Sequence, residues 1–323
     1  MRKKIHVAVL FGGKSAEHEV SIRSAKHVVA ALDPKRYEVT AIKISRTQPW
    51  LPAEDLLKSI DVVFPILHGP FGEDGTMQGL LKLANVPFVG PSVLGSAVGM
   101  DKDVTKRLLR DAGIPTSKFL TATKSDQISF AYAKKNLGLP VFIKPANMGS
   151  SVGVHKVTNK REFDAAIKNA LKFDRKILIE AFIKGRELEC AVLGNEKPIA
   201  SIVGEIIPHH EFYSYEAKYL DENGAGLEIP AKIPRKIEKR IQELAIQTFK
   251  TLGCEGMSRV DFFLKDNGDV LVNEINTIPG FTSISMFPML WEASGIPPKK
   301  LVDTLISLAI ARHKRDAKLK TSY

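Results

Sequence analysis

His6-Val7-Ala8-Val9-Leu10-Phe11-Gly12-Gly13 is a continuous apolar run stopped by paired glycines. A run without alternation reads as a strand covered on both faces, as in a parallel sheet. Downstream, 15–32 carries Val20, Ala25, Val28, Val29 and Leu32 at helical spacing, with Ser15 as the expected N-cap. A second buried run, 61–67, ends at His68-Gly69-Pro70-Phe71-Gly72-Glu73-Asp74-Gly75. A helix over 77–84 and a short strand over 87–90 should follow. This repetition predicts a doubly wound α/β unit, whose ligands lie beyond the carboxyl ends of its strands. Both glycine-rich stretches fall at such ends.

Near residue 100 the pattern changes. Asp101 is placed to cap a helix over 104–112, closed by Gly113 with Pro115 just beyond. A strand over 140–144, a loop, a strand-like 153–157, a helix over 161–171 and a strand over 176–180 make a small α+β unit. From Leu188 a larger mixed unit is expected, interrupted by a polar, aromatic-rich loop over about 208–230. It should contain a helix over 235–252, strands over 258–264 and 270–274, and a terminal helix over 298–312.

A chain of 323 residues exceeds the usual single domain. Its composition, 44% hydrophobic and 26% charged, excludes long disorder and a membrane bundle. Lysine and arginine number 47 against 36 acids, a net charge of +11. Five of those bases (Arg312, Lys314, Arg315, Lys318, Lys320) lie near the C-terminus with one acid, Asp316, and read as a solvated helix end and tail. The remaining excess suits a polyphosphate as well as a nucleic acid. Two cysteines, Cys190 and Cys254, make no disulfide framework and point to a reducing compartment. No stretch reaches the roughly 18 apolar residues of a membrane helix, so a soluble, cytoplasmic chain is expected.

Glu274 and Asn276 are two apart and share a face if their strand continues. Asp261, in Arg259-Val260-Asp261, belongs to a strand expected beside it. Two carboxylates and an amide oxygen are hard ligands, suited to Mg²⁺ rather than zinc. A sheet-edge salt bridge would use the same residues. Arg259 should point to the same side as Asp261, where it could stabilise a developing oxyanion. Lys144 ends an apolar strand and precedes Pro145 and a glycine–serine loop, Gly149-Ser150-Ser151-Val152-Gly153. Small residues let backbone N–H groups approach phosphate oxygens, although an ordinary turn would look similar. Lys102 could add a second positive charge.

Taken in order, these residues resemble the ATP-grasp superfamily: Lys144, Gly149 to Gly153, Ile177-Leu178-Ile179-Glu180, Glu187, Arg259 to Asp261, and Glu274 to Gly280. More narrowly, the chain resembles the D-alanine–D-alanine ligases, through Phe11 to Ser21, His68 to Gly75, Met100-Asp101-Lys102 and Tyr215 to Tyr219. The resemblance implies an α/β, three-domain ATP-grasp architecture. An N-terminal doubly wound parallel-sheet domain (1–100) precedes a small central α+β domain (101–183). A larger C-terminal mixed α/β domain (184–323) carries a lid loop over 209–227 and the basic tail.

The resemblance also implies an activity: ATP-dependent joining of two D-alanines through a D-alanyl phosphate, for peptidoglycan precursors, by a homodimer. ATP would lie between the central and C-terminal domains, its phosphates met by Lys102, Lys144 and the loop around Ser150 and Ser151. Glu180 and Glu187 would contact adenine and ribose, with Ala181, Ile183 and Lys218 completing the nucleotide site. Asp261, Glu274 and Asn276 would hold two Mg²⁺ ions, with Mn²⁺ as an alternative. Glu17 would take the first ammonium and His68 lie near its carboxylate; Ser285 and Met286 would bind the second D-alanine. Arg259 and the Gly280 N–H would stabilise the tetrahedral oxyanion. Tyr219 would reach from the lid toward Ser150 and, through it, Glu17.

The chain departs from the family pattern in three places. Ala181 stands where many relatives have a charged residue, Met286 where leucine is common, and the basic tail has no role in the family pattern. His27, His155 and His313 read as ordinary surface or helix residues. Competing readings are a related ligase making D-alanine–D-lactate, a catalytically dead ATP-binding regulator, and a nucleic-acid binder. The regulator would be expected to lack a metal ligand or Arg259, and all are present. The nucleic-acid reading lacks a recognised binding motif.

Overall fold

The computed structural model describes residues 3–48, 58–126, 128–208 and 225–320. Strand β1 (Ile5–Gly12) leads into helix α1 (His18–Ala31) and strand β2 (Tyr37–Ile44). Strand β3 (Val62–Pro65) and helices α2 (Thr76–Leu83) and α3 (Val93–Met100) complete the first part. The strands form a parallel sheet in the order β2-β1-β3, and Phe88 extends it through a bridge to Val63. The helix after β1 begins later than expected. Glu17 occupies its N-cap position, while Ser15 Oγ instead accepts the Glu17 N–H at 3.1 Å. Helix α3 departs from expectation, because its apolar, glycine-containing sequence has little amphipathic period; Ser92 caps it by accepting from Gly95 N–H.

The middle of the chain holds helix α4 (Lys102–Asp111), strand β4 (Phe119–Thr123), helix α5 (Phe130–Leu137), strands β5 (Val141–Pro145) and β6 (His155–Val157), helix α6 (Lys160–Ala170) and strand β7 (Lys176–Ala181). Asp101 caps α4 as expected, accepting from the N–H groups of Asp103 and Val104. The strands pair antiparallel in the order β4-β7-β5-β6. Beyond them, β8 (Arg186–Gly194), β9 (Ile199–Pro208), β10 (Ala225–Glu228), helix α7 (Arg235–Thr251), β11 (Gly256–Leu264) and β12 (Val270–Asn276) build the third part. Its sheet is antiparallel, ordered β10-β9-β8-β11-β12. Helices α8 (Met286–Ala293) and α9 (Pro298–Asp316) close the chain.

One core joins the first and last parts. Val7, Val9 and Phe64 of the parallel sheet pack with Met257, Phe281, Trp291 and Leu301, all buried. The helix carrying the basic residues departs from expectation here. Arg312 is 5% exposed and donates to Gly90 O at 2.5 Å and Phe88 O at 2.7 Å, its guanidinium 4.5 Å from the Phe88 ring centre. Arg315 pairs with Glu196 and Glu255 at 2.7 Å each. Both bases fasten α9 to its surroundings, Arg312 from within the protein and Arg315 from a half-exposed surface pair. No described helix is long and apolar enough to cross a membrane.

Candidate active site

Strands β11 and β12 bring the expected metal ligands face to face. Asp261 lies opposite Glu274, and Arg259 opposite Asn276, with a register irregularity just after Asp261. Arg259 forks onto Asp261, Nε to Oδ1 at 2.7 Å and Nη2 to Oδ2 at 2.8 Å. Its Nε also lies 2.8 Å from Glu189 Oε2, an acid on β8 that no sequence motif singles out. Burial alone would lower the guanidinium's pKa; Asp261 and Glu189 overcome it and hold the group firmly charged. Asn276 Nδ2 donates to Asp261 Oδ2 at 3.0 Å, which turns the amide oxygen away from that contact.

Two carboxylates with an amide oxygen and an arginine nearby fit a hard divalent cation. Among the described residues no group of three or more His, Cys, Asp or Glu could hold a metal. A cation between Asp261 and Glu274 therefore needs the amide as its third protein ligand.

Facing this wall, Lys144 at the end of β5 reaches Glu180 Oε2 at 2.7 Å. Glu180 Oε1 lies 3.1 Å from Lys106 Nζ, so one buried acid is held between two lysines. Burial would raise Glu180, but Lys106 and Lys144 outweigh it and keep the carboxyl below its ordinary value. Lys106 also donates to Thr116 Oγ1 at 2.9 Å and Ser117 Oγ at 3.0 Å. Sequence pattern gives no sign of this role. A lysine in an amphipathic helix ordinarily faces water, and only the fold, which brings Lys106 to Glu180, Thr116 and Ser117, reveals that it is fully buried. Lys102 donates to Met148 O at 2.7 Å and stands 3.8 Å from Glu274, spanning the two walls. Burial lowers its pKa, and Glu274 opposes that.

Ser150 donates a short hydrogen bond to Glu17 Oε1. Ser150 and Ser151 both adopt left-handed backbone, φ 51° and 59°, which non-glycine residues seldom tolerate. Glu17 is also confined by glycines: a Cβ on Gly69 would stand 2.7 Å from Glu17 Oε2, and one on Gly149 3.0 Å. Gly280 lies against Ser285 Oγ, 2.9 Å from where its Cβ would be. Ser285 precedes α8, but its hydroxyl accepts from Thr282 N–H at 3.0 Å and makes no cap bond. The Met286 side chain turns into the core against Gly204, leaving only backbone for a ligand.

His68 is buried with both ring nitrogens engaged, Nδ1 2.9 Å from Ile278 O and Nε2 3.1 Å from Ser24 Oγ. The expectation that it lies toward a substrate carboxylate thus meets a ring committed to protein partners. Burial lowers its pKa. Glu73 accepts from Gly69 N–H at 2.6 Å and Ile278 N–H at 2.9 Å; burial, then Glu17, pushes its carboxyl up to about 8. Ala181 ends β7, Ile183 follows it and Glu187 lies near the start of β8, so these three line the connection between the two antiparallel sheets. Lys218, Tyr219 and the expected lid, apart from 225–227, lie outside the described residues.

Two family models match the chain: D-ala D-ala ligase N-terminus over 6–58 and 51–91, and D-ala D-ala ligase C-terminus over 108–307. A D-alanine–D-alanine ligase of Shouchella clausii is 51% identical over a 364-residue alignment covering 100% of this chain and 99% of the relative. Among solved structures, the D-alanine–D-alanine ligase of Coxiella burnetii superposes with a TM-score of 0.88 at 41% identity, covering 98% of this chain and 96% of that one. The Bacillus anthracis D-alanine–D-alanine ligase complexed with ATP gives 0.82 at 31%, covering 97% and 99%. With both halves of the chain matched and relatives aligned end to end, the chain belongs to the D-alanine–D-alanine ligase family.

Proposed function

We propose that this protein uses ATP to join two D-alanines. The observation that carries the reading is the pairing of Asp261 with Glu274 and of Arg259 with Asn276 across β11 and β12, opposite the Lys144–Glu180–Lys106 group. A cleft with an acidic wall and a basic wall suits a metal-bound polyphosphate.

A carboxylate is a poor electrophile, so the first D-alanine is activated by taking the γ-phosphoryl of ATP onto a carboxylate oxygen, with ADP leaving. Glu17, fixed by Ser150, holds that alanine's ammonium. The amine of the second D-alanine then attacks the acyl carbon, and the carbonyl π pair moves onto oxygen. Arg259 and the Gly280 N–H stabilise that charge. Collapse expels phosphate, and the nitrogen gives up its proton. Lys102 and Lys144 meet the phosphates, while Glu180, Ala181, Ile183 and Glu187 border the nucleoside. Asp261, Glu274 and Asn276 would hold two Mg²⁺ ions, which when bound neutralise polyphosphate charge. Ser285 and the start of α8 receive the second carboxylate, since the first N–H groups of a helix lack partners within it.

We read the enzyme as cytoplasmic and as a homodimer; sedimentation of the purified chain tests the dimer, and fractionation of cells the compartment. Phosphate release from ATP, with and without D-alanine, together with chromatography of the product, tests the activity. D-alanine-dependent release matched by one dipeptide per phosphate is expected. Release without a dipeptide would defeat the reading.

A further inference from the structure

After β12 and Thr277 the chain turns through Ile278-Pro279-Gly280-Phe281, whose backbone donors can be followed one by one. The Ile278 N–H donates to Glu73 Oε1 at 2.9 Å. Pro279 has no N–H. The Phe281 N–H donates to Ser24 Oγ at 3.1 Å. Between them, the Gly280 N–H has no acceptor among the described residues.

The acceptor side is held as well. Ile278 O lies 2.9 Å from His68 Nδ1, and His68 Nε2 lies 3.1 Å from Ser24 Oγ. Burial favours the neutral imidazole, and that form fixes the protons. Ile278 O can only accept, so Nδ1 carries the ring proton. Neutral Nε2 must accept, so the one hydroxyl proton of Ser24 points to it, and the Ser24 oxygen accepts from Phe281. The order is Phe281 N–H to Ser24 Oγ–H to His68 Nε2, then His68 Nδ1–H to Ile278 O. Ser24 is completely buried in α1, and His68 follows β3. Both belong to the first third of the chain, some two hundred and more residues from the turn they grip.

We propose that Ser24 is a positioning residue for ligation: with His68 and Glu73 it fixes the chain on either side of the Pro279–Gly280 peptide, so that the Gly280 N–H is held ready to meet the developing oxyanion. The inference rests on the ligase reading and extends it. A donor preorganised in this way contributes only when charge develops on the acyl oxygen, that is, in the second half-reaction. Acyl phosphate formation does not need it.

The test uses the full chain and two assays. Positional isotope exchange in ATP with the first D-alanine reports reversible acyl phosphate formation, and dipeptide synthesis reports the whole reaction. Ser24→Ala should lower kcat for dipeptide about 10-fold or more, since a small misplacement is costly in a fixed geometry. The KM for ATP and the isotope exchange rate should stay within about twofold of the parent by the same argument. Ser24→Cys, which keeps a weak donor and acceptor, should recover part of the loss. An unchanged dipeptide rate, or equal losses in both assays, would overturn the proposal. Should Ser24→Ala not fold, Glu73→Gln must give the same split between the assays, and equal losses there would count against the proposal equally. A parent that exchanges isotope but makes no dipeptide would overturn the ligase reading itself.

Discussion

The two walls of the cleft are built on opposite electrostatic plans. On the central sheet one acid, Glu180, is shared by two lysines, Lys106 and Lys144, leaving an excess of positive charge. On the C-terminal sheet one base, Arg259, is shared by Asp261 and Glu189, with Glu274 opposite Asp261 and 3.8 Å from Lys102, so acids predominate. Each plan keeps its buried charges paired, which burial demands, and the two walls carry opposite majorities. The basic majority suits an anion, the acidic one a cation. A metal-bound nucleotide supplies both.

The largest loss is expected at Glu274. Glu274→Gln keeps the shape of the acidic wall and removes a charge meant for a cation. Turnover should fall about 10³-fold or more, several kcal/mol of transition-state stabilisation, with the melting temperature little changed. Near-normal turnover at saturating Mg²⁺ would remove Glu274 from the metal site.

The two lysines of the basic wall should separate next. Lys106→Met leaves Glu180 with one partner in a buried site and should destabilise the protein by about 3 kcal/mol, read by denaturant unfolding. Lys144→Met should instead raise the KM for ATP, because Lys144 stands beside the loop expected to cover the phosphates. Similar losses of stability in both variants would show that the basic wall does not divide structure and binding between its two lysines.

Glu73 ties stability to pH. Its carboxyl is raised from 4.5 to about 8, so across that window the folded, ligand-free protein keeps a proton that the unfolded chain has released. The folded state therefore binds more protons, and this group's contribution to stability falls as pH rises from about 4.5 to about 8, then levels off. The slope is at most about 1.4 kcal/mol per pH unit. Glu73→Gln should flatten it. Melting temperatures of parent and variant between pH 5 and 8 that run parallel would refute the shift.

The smallest effect belongs to Ser285, whose hydroxyl sits against Gly280 and Thr282. Ser285→Ala should raise the KM for the second D-alanine roughly 10-fold, as expected for one hydrogen bond to a charged group, and leave the KM for ATP alone. Initial rates at varied D-alanine and fixed ATP decide it.

Much of the fold and of the cleft is legible in short-range pattern. The unbroken apolar run of β1, the i, i+2 spacing of Glu274 and Asn276, and the Asp101 cap are local features, and most expected elements form within a few residues of their expected bounds, the strand expected over 87–90 shrinking to a single bridge at Phe88. Local pattern misleads where its signal is weak or borrowed from elsewhere. Helix α3 lacks a polar face, the Ser15 hydroxyl bonds inside the turn before α1, and Arg312 reads as solvated because its acceptors, Phe88 O and Gly90 O, are far off in sequence.

Sequence alone determined which side chains share a strand face, which turns need small residues, and which functional groups the chain carries, because these depend on neighbours a few residues apart. Tertiary structure decided who neutralises whom. Lys106 became a partner of Glu180, Glu189 of Arg259, and Ser24 of Phe281 only when separate segments met. A buried polar group must find its complement wherever the fold places one, and no local periodicity records that choice.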